Sequence, residues 1–180
     1  MSHRFHRLII PTLHREGWDK FTDDPDDPGG ATRWGISLRT AEIHAELFDI
    51  DGDGDVDADD IEHLDRDTAE DYYLEYVWKP QGCDQIAADA VAAKVLDLSV
   101  NMGNTRGAKR IQMALRAVGR PTAIDGKIGP HTIGRINEAP TLAMMAAYRS
   151  EAAGYYRMIT ALREKKFSKY IDGWLNRAYA

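Results

Sequence analysis

The chain has 180 residues with a formal net charge of −6, and 43% of its residues are hydrophobic and 29% charged, which is ordinary for a globular protein. No apolar run approaches the roughly 20 residues that span a bilayer, and no basic stripe indicates a nucleic-acid partner, so we expect no membrane insertion and no nucleic-acid binding. We also expect a monomer. The single cysteine, Cys83, excludes an internal disulfide and a zinc site built from cysteines.

The first predicted element is an amphipathic helix over residues Phe5–Glu16. Its apolar side chains recur at three- and four-residue spacing, at positions Phe5, Leu8, Ile9 and Leu13. Pro11 lies inside this pattern and predicts a kink, because proline removes one helical hydrogen bond. The predicted helix therefore ends at a carboxylic acid, Glu16.

A loop rich in Asp, Pro and Gly follows over residues Phe21–Thr32. Its Asp-Pro and Pro-Gly pairs are typical of turns. Strand signals are weak along the whole chain, and we expect any sheet to be a small hairpin near Asp23–Gly35.

Acidic and hydroxyl groups on both sides of this loop suit the cleavage of a glycosidic bond. That reaction needs a carboxylic acid to protonate the leaving oxygen, and a second group to position water or stabilise the developing positive charge. Glu16, beside two tryptophans, is the candidate acid, and Asp27 or Asp26 with Thr32 are candidates for the second role. As alternatives, Asp27 suits a turn before proline and Thr32 suits a helix cap.

The rest of the chain has a helical pattern. A helix near Leu38–Phe48 precedes an acidic loop, and a short helix around Asp59–Leu64 follows it. The next helix starts at Asp67 or Thr68, in what resembles a capping box, and is stopped by Pro80. Further helices are predicted at Ala87–Met102, Thr105–Val118, Pro130–Asn137, Thr141–Lys165 and Ser168–Ala178.

The acidic loop, Asp49–Asp60, contains seven aspartates, without which 22 acidic residues remain against 23 basic ones. It matches the twelve-residue EF-hand calcium loop, with Gly54 at the sixth position, where the chain turns sharply, and Val56 at the eighth. Asp60 stands at the last position, where most such loops have Glu. The predicted ligands are Asp49, Asp51, Asp53, Asp55, Asp57 and Asp60. We predict one structural calcium ion; the alternative is a solvated acidic loop or a disordered linker.

The order of these motifs resembles glycoside hydrolase family 108, the phage-associated N-acetylmuramidases. Glu16-Gly17 is followed by Asp-Pro-Gly-Gly-Ala-Thr at residues 27–32 and by Gly35-Ile36, as in that family. Trp18 replaces the family's second glycine, and the spacing from Glu16 to the Asp-Pro element is longer. The resemblance continues downstream, at Tyr73, Tyr76–Trp78, Asp97–Gly103, Ala108–Leu115 and Ile124–Thr132; the last is similar to the Asp-Gly-x-x-Gly-Pro-x-Thr signature of peptidoglycan-binding modules.

This resemblance implies a mainly α, lysozyme-like fold of two closely packed helical lobes with at most a small β-hairpin. Residues 1–85 would form a catalytic muramidase lobe with the calcium loop inserted at 49–60, and residues 86–180 a helical lobe similar to peptidoglycan-binding modules. The implied function is hydrolysis of the β-1,4 bond between N-acetylmuramic acid and N-acetylglucosamine, with Glu16, Asp27 and Thr32 as catalytic residues. A lytic transglycosylase and a non-catalytic, calcium-dependent peptidoglycan-binding protein remain alternatives.

The expected place of action is the bacterial cell wall. The apolar stretch Leu8–Ile10 is too short for a signal-peptide core of about 7–15 residues. We therefore expect an endolysin that is made in the host cytoplasm without a signal peptide and reaches peptidoglycan after release.

Overall fold

The structure is a computed structural model that describes residues 3–24 and 29–180. It divides into two compact units, Met1–Tyr76 and Val77–Ala180. Helices dominate both, and the strands of the described part form one two-stranded antiparallel sheet. The predicted mainly α fold with a small hairpin is therefore confirmed. None of the described helices is both long enough and apolar enough to cross a membrane.

The first unit contains the helix that precedes Glu16 and several shorter elements. They are α1 (His3–Arg15), β1 (Thr32–Arg33), β2 (Ile36–Ser37), α2 (Leu38–Ala41), α3 (Ala45–Phe48), α4 (Ala58–His63) and α5 (Arg66–Tyr73). The apolar face of α1 is buried, with Phe5, Ile9 and Leu13 fully covered. Pro11 lies inside α1, and a π-helical turn, Leu74–Trp78, continues α5.

An ion-pair cluster links α1 to α5. Glu70 on α5 is only 2% exposed, and its carboxylate accepts a hydrogen bond from the Arg66 Nε at 2.6 Å. The imidazole of His6 on α1 contacts the other oxygen of the same carboxylate. A buried carboxylate is tolerated when partners satisfy it, so this cluster fixes the relative position of the two helices.

Two local predictions in this unit are wrong. The helix predicted near Leu38–Phe48 is interrupted by a 3-10 turn at Glu42–His44, which separates α2 from α3. The capping box predicted at Thr68 is not the cap of α5; Asp65 is, because its carboxylate accepts the Thr68 backbone N–H at 2.8 Å. Asp65 satisfies a helix-terminal donor that has no partner within the helix, so α5 starts at Arg66, one or two residues earlier than predicted.

The hairpin turns at Trp34 and Gly35, at the C-terminal end of the predicted region. Strand β1 pairs with β2, and both turn residues have positive φ, 55° for Trp34 and 78° for Gly35. Positive φ at both central positions is the mark of a type I′ turn, which matches the twist of antiparallel strands. Tryptophan rarely adopts this conformation, so surrounding contacts must hold it there.

The second unit is built around the long helix α9. Its elements are α6 (Asp89–Met102), α7 (Asn104–Ala117), α8 (Pro130–Glu138), α9 (Thr141–Leu162), α10 (Glu164–Phe167) and α11 (Ile171–Tyr179), with 3-10 turns at Cys83–Gln85 and Ser168–Tyr170. Helices α6, α7 and α11 pack on α9, where Tyr148 and Tyr156 are buried. The Lys94 ammonium donates to the Arg177 carbonyl at 2.5 Å and so ties α6 to α11.

Candidate active site

A helix-ending motif sets the position of Glu16. The Gly17 N–H donates to the His14 carbonyl at 3.3 Å, and the Trp18 N–H donates to the Leu13 carbonyl at 2.9 Å. These two bonds form a Schellman motif, which requires a left-handed residue after the helix; Gly17 supplies it with φ 96°. Glu16 is therefore the last residue before the chain turns away from α1.

The hairpin turn packs directly against the Glu16 side chain. A Cβ atom added at Gly35 would lie 2.6 Å from the Glu16 Cβ and 2.8 Å from its Cγ. The same atom would lie 2.8 Å from the hydroxyl oxygen of Tyr73, which donates to the Trp34 carbonyl at 2.9 Å. Only glycine fits at position 35, so the turn holds the stem of a half-buried Glu16 in place.

Aromatic side chains surround the end of α1. The Trp18 indole stacks on the His14 ring at 4.1 Å between centroids and meets the Trp34 ring edge-on at 5.3 Å. The Arg66 guanidinium lies 5.3 Å from the centre of the Trp18 ring. These contacts place two tryptophans, a histidine and an arginine in one cluster next to the C-terminal end of α1.

The candidates for the second catalytic role are only partly described. Asp26 and Asp27 lie outside the described residues. Thr32 lies in β1, where its hydroxyl donates to the Gly30 carbonyl at 3.2 Å, so the alternative that it caps a helix is wrong. Thr32 sits two residues before the Trp34-Gly35 turn, on the hairpin that contacts Glu16. The roles of Asp27 and Thr32 stay predictions.

Helix α4 and the residue after it hold the hairpin from the other side. The Trp34 indole N–H donates to the Leu64 carbonyl at 3.0 Å, which anchors the strained residue of the turn. The Arg33 guanidinium donates to the Glu62 carbonyl, and its Nε donates to the Asp19 carbonyl at 3.1 Å. No sequence pattern indicates these anchors or the role of the Tyr73 hydroxyl, because they join segments far apart in the chain.

The acidic loop brings its carboxylates into two groups. Oxygen atoms of Asp49, Asp51 and Asp53 lie within 4.8 Å of one another, and so do those of Asp55, Asp57 and Asp60. Repulsion from the neighbouring carboxylates, led by Asp53, and partial desolvation raise the pKa of Asp55. The loop therefore holds closely spaced negative charge, as a metal site requires.

Asp60 closes the loop. Its side chain is 2% exposed and accepts the Ile50 N–H at 2.6 Å and the Asp57 N–H at 2.8 Å, which joins the two ends of the loop. Asp57 in turn accepts the Asp59 N–H at 2.7 Å and caps α4. The Asp49 Oδ1 atom is buried and has no hydrogen-bond partner among the described residues. The donor set is oxygen only, which suits a hard cation.

The peptidoglycan-binding signature at residues 124–132 forms a rigid turn in the second unit. Gln112 is buried, donates to the Asp125 carboxylate at 2.7 Å and accepts the Gly126 N–H at 2.9 Å. The hydrogen bond from Gln112, followed by one from the Lys127 N–H, lowers the pKa of Asp125. The polar groups of this turn therefore bond to one another and to α7.

Comparison with known proteins gives a family for the chain. The solved structure of SagA from Brucella abortus is similar, with a TM-score of 0.68 and 24% identity over 97% of this chain and 92% of that one. At this identity the likeness shows the fold alone, and it agrees with the expected lysozyme-like architecture. No curated protein matches the chain.

Residues 106–179 match the model of a predicted peptidoglycan domain, which supports peptidoglycan as the partner. Residues 10–103, more than half of the chain, match the glycosyl hydrolase 108 model, so the chain belongs to that family and is a glycoside hydrolase.

Proposed function

We propose that the protein hydrolyses the β-1,4 bond between N-acetylmuramic acid and N-acetylglucosamine in bacterial peptidoglycan, with Glu16 as the general acid. One observation carries the proposal: the Glu16 stem is fixed between the end of α1 and the Gly35 turn, inside the region that matches the hydrolase family. An acid catalyst gains from such fixing, because proton transfer needs a set geometry.

In the proposed reaction the Glu16 carboxyl gives its proton to the glycosidic oxygen as the bond from that oxygen to C1 of the muramyl ring breaks. A water molecule supplies the hydroxyl that adds to C1, and its remaining proton returns to the catalytic carboxylates. Asp27 and Thr32 orient this water or stabilise the positive charge on the ring. The hydrogen bond from the Thr32 hydroxyl to the Gly30 carbonyl supports a fixed orientation for that group.

The loss of turbidity of purified cell walls tests the acid. We expect Glu16→Gln to lower the rate about 10²- to 10⁴-fold, the usual contribution of a general acid, because an amide is far too weak an acid to transfer a proton to the leaving oxygen. Glu42→Gln is the matched control, since Glu42 is an exposed glutamate of the same unit and lies outside the site. A Glu16→Gln variant that clears walls at the parental rate would show that another group is the acid.

The products of the same assay separate hydrolysis from lytic transglycosylation. Hydrolysis leaves a reducing muramic acid, whereas a transglycosylase leaves an anhydro sugar. We expect reducing ends, which borohydride labels. Anhydro ends would mean that the enzyme is a lytic transglycosylase, in which Glu16 can still be the acid but water does not attack C1.

We also propose that one calcium ion binds at Asp49–Asp60 and has a structural role. Six aspartates at the coordinating positions of the loop, and the buried Asp49 oxygen without a hydrogen-bond partner in the described part of the chain, support this. The repulsion that raises the pKa of Asp55 supports it too, because a cation would remove that repulsion. The chemistry of glycoside hydrolysis needs no metal, so the ion would act on the stability of the loop.

The same proposal gives each part of the chain a task. Residues 1–85 would carry out catalysis, and residues 86–180 would bind peptidoglycan. The match of residues 106–179 to a peptidoglycan domain supports the second assignment. The protein would act as a monomeric phage endolysin, made in the host cytoplasm and released to the cell wall.

A further inference from the structure

The second unit contains an open pocket of about 420 Å³ that the proposed catalytic step does not use. It lies where α9 meets the C-terminal end of α6, the start of α7, α10 and α11. Six of the side chains that line it are polar, charged or aromatic and matter for what the pocket could bind: Asn101, Arg106, Tyr155, Arg163, Phe167 and Trp174.

One side of the pocket is aromatic and held in a fixed shape. Trp174 stacks on the buried Tyr156 at 5.3 Å between centroids and meets Phe167 edge-on at 5.4 Å. The Tyr156 hydroxyl donates to the Asn101 side-chain oxygen at 2.7 Å, which ties the ring cluster to α6. The rings of Tyr155, Phe167 and Trp174 are half-exposed. Arg110 lies 5.1 Å from the centre of the Tyr155 ring and Tyr170 stacks on Trp174 at 5.6 Å, so a ligand would contact the parts of these rings that remain exposed.

The pocket also carries positive charge. Arg106 and Arg163 both line the pocket and are exposed to solvent. The segment that runs from Arg163 to Lys169 has four cations against one acid, all exposed, in a chain whose net charge is −6. An excess of guanidinium and ammonium groups beside a pocket favours an anionic ligand, and arginine is especially suited to carboxylates.

Polar groups of the peptidoglycan-binding signature bond within their own turn. The Asp125 carboxylate accepts from the Gln112 amide and the Lys127 N–H, and the Gly126 N–H donates to Gln112. These groups stabilise the turn. The aromatic pocket, by contrast, presents polar and aromatic side chains to an open cavity.

We propose that this pocket binds a muropeptide, an N-acetylated amino sugar with an acidic stem peptide. The apolar face of the sugar would lie on the rings of Tyr155 and Trp174, and the carboxylates of the peptide would pair with Arg106 and Arg163. The proposal rests on the proposed function for its ligand class. It adds a second contact with the wall, carried by residues that take no part in cleavage.

Binding of a soluble muropeptide to the full-length protein, followed by NMR and calorimetry, tests the pocket. The probe is the disaccharide-tetrapeptide GlcNAc-MurNAc with its stem, which contains no bond that a muramidase cleaves. Diacetylchitobiose, which has the sugar rings without a carboxylate, is the comparison ligand. We expect the muropeptide to bind more tightly and to shift resonances of Tyr155, Trp174 and their neighbours.

Charge variants complete the test. Arg106→Gln and Arg163→Gln should each weaken muropeptide binding about ten-fold, the effect of losing one charge-assisted hydrogen bond, and leave chitobiose binding unchanged. Arg116→Gln is the matched control, because Arg116 is an exposed arginine on the same helix as Arg106 and does not line the pocket.

Parental affinity in both pocket variants, equal affinity for chitobiose, or shifts confined to residues outside the pocket would overturn the proposal. Wall clearing by the parent protein is measured separately. If walls are cleared and the muropeptide does not bind in the pocket, the binding proposal is wrong and the proposed hydrolysis stands. If the muropeptide binds in the pocket and walls are not cleared, the proposed hydrolysis is wrong and the binding proposal stands.

Discussion

At the scale of single residues, Gly35 is a position of the candidate site at which even a methyl side chain does not fit. Its backbone has a φ of 78°, and two side chains, Glu16 and Tyr73, occupy the place where a Cβ would stand. The absence of one methyl group therefore allows the turn to approach the proposed acid. Residue identity matters here for two separate reasons, backbone conformation and contact distance.

We expect Gly35→Ala to lower both stability and wall clearing. The left-handed backbone costs about 1–2 kcal/mol for alanine, and displacement of Glu16 and Tyr73 adds about 1–3 kcal/mol. Thermal unfolding and turbidity assays measure the two effects. Gly119→Ala is the control, because Gly119 has a similar φ of 72° with no atom within 4 Å of the added Cβ. Equal activity in the two variants would mean that the contact with Glu16 does not matter for catalysis.

At the scale of secondary-structure elements, the helix cap at Asp65 determines where α5 begins, and α5 carries both Glu70 and Tyr73. Hydrogen bonds to the Asp65 carboxylate, first that from the Thr68 N–H, lower the pKa of this group. A carboxylate whose pKa is lower in the folded state stabilises the fold above its unfolded value, and this stabilisation is lost as pH falls through the folded value.

We therefore expect Asp65→Ala to cost about 1 kcal/mol at pH 7, the usual loss for an N-cap aspartate. The difference from the parent should shrink as the pH falls below the unfolded pKa, which is close to 3.8. Urea unfolding at several pH values measures this. Asp67→Ala, which removes an exposed charge from the same helix end, should cost less. A difference that does not depend on pH would mean that the ionised cap is not what stabilises α5.

The acidic loop gives a second prediction at this scale. Calcium at about 100 times its dissociation constant should stabilise the fold by about 2.7 kcal/mol, because it binds the folded loop and not the unfolded chain. For a chain of this size that corresponds to a rise in melting temperature of about 5–10 °C. Calorimetry with calcium and with a chelator measures it, and the rise should shrink at acidic pH, because protons compete for the carboxylates.

Two aspartate variants separate coordination from loss of charge. Asp51→Ala removes a coordinating oxygen together with its charge and should abolish most of the calcium effect. Asp59→Ala removes the same charge at the eleventh position of the loop, which does not coordinate, and should keep it. A melting curve that excess chelator leaves unchanged would argue against an occupied site in the parent protein.

At the scale of the whole molecule, the features that the sequence predicted are those set by local spacing. The helices followed from apolar periodicity, and the end of α1 followed from a change of residue type near Gly17. Features that depend on distant segments were not predictable. Trp34 takes a left-handed conformation because Leu64 holds its indole, and the 3-10 turn between α2 and α3 has no signal in the apolar pattern.

The same distinction applies to the sites. Glu16 and the acidic loop stand out because their residues lie within short motifs. The pocket of the second unit draws on several helices, from Asn101 to Trp174, so no window of the sequence contains it. The contact between Gly35 and Glu16 joins residues whose spacing carries no periodicity, although both belong to the motif that resembles the family.

The attachment of the hairpin to α4 and Leu64 restricts how the acidic loop can change. Trp34 and Arg33 donate to the carbonyls of Leu64 and Glu62, at the far end of the helix that starts inside this loop. A chain shortened by excising the acidic loop with its helix would leave the Trp34 indole N–H without this acceptor and the Arg33 guanidinium with the Asp19 carbonyl but without that of Glu62, next to the turn that contacts the proposed acid. Any shorter, engineered form of this enzyme would have to retain the backbone from Ala58 to Leu64, whether or not the acidic loop binds an ion.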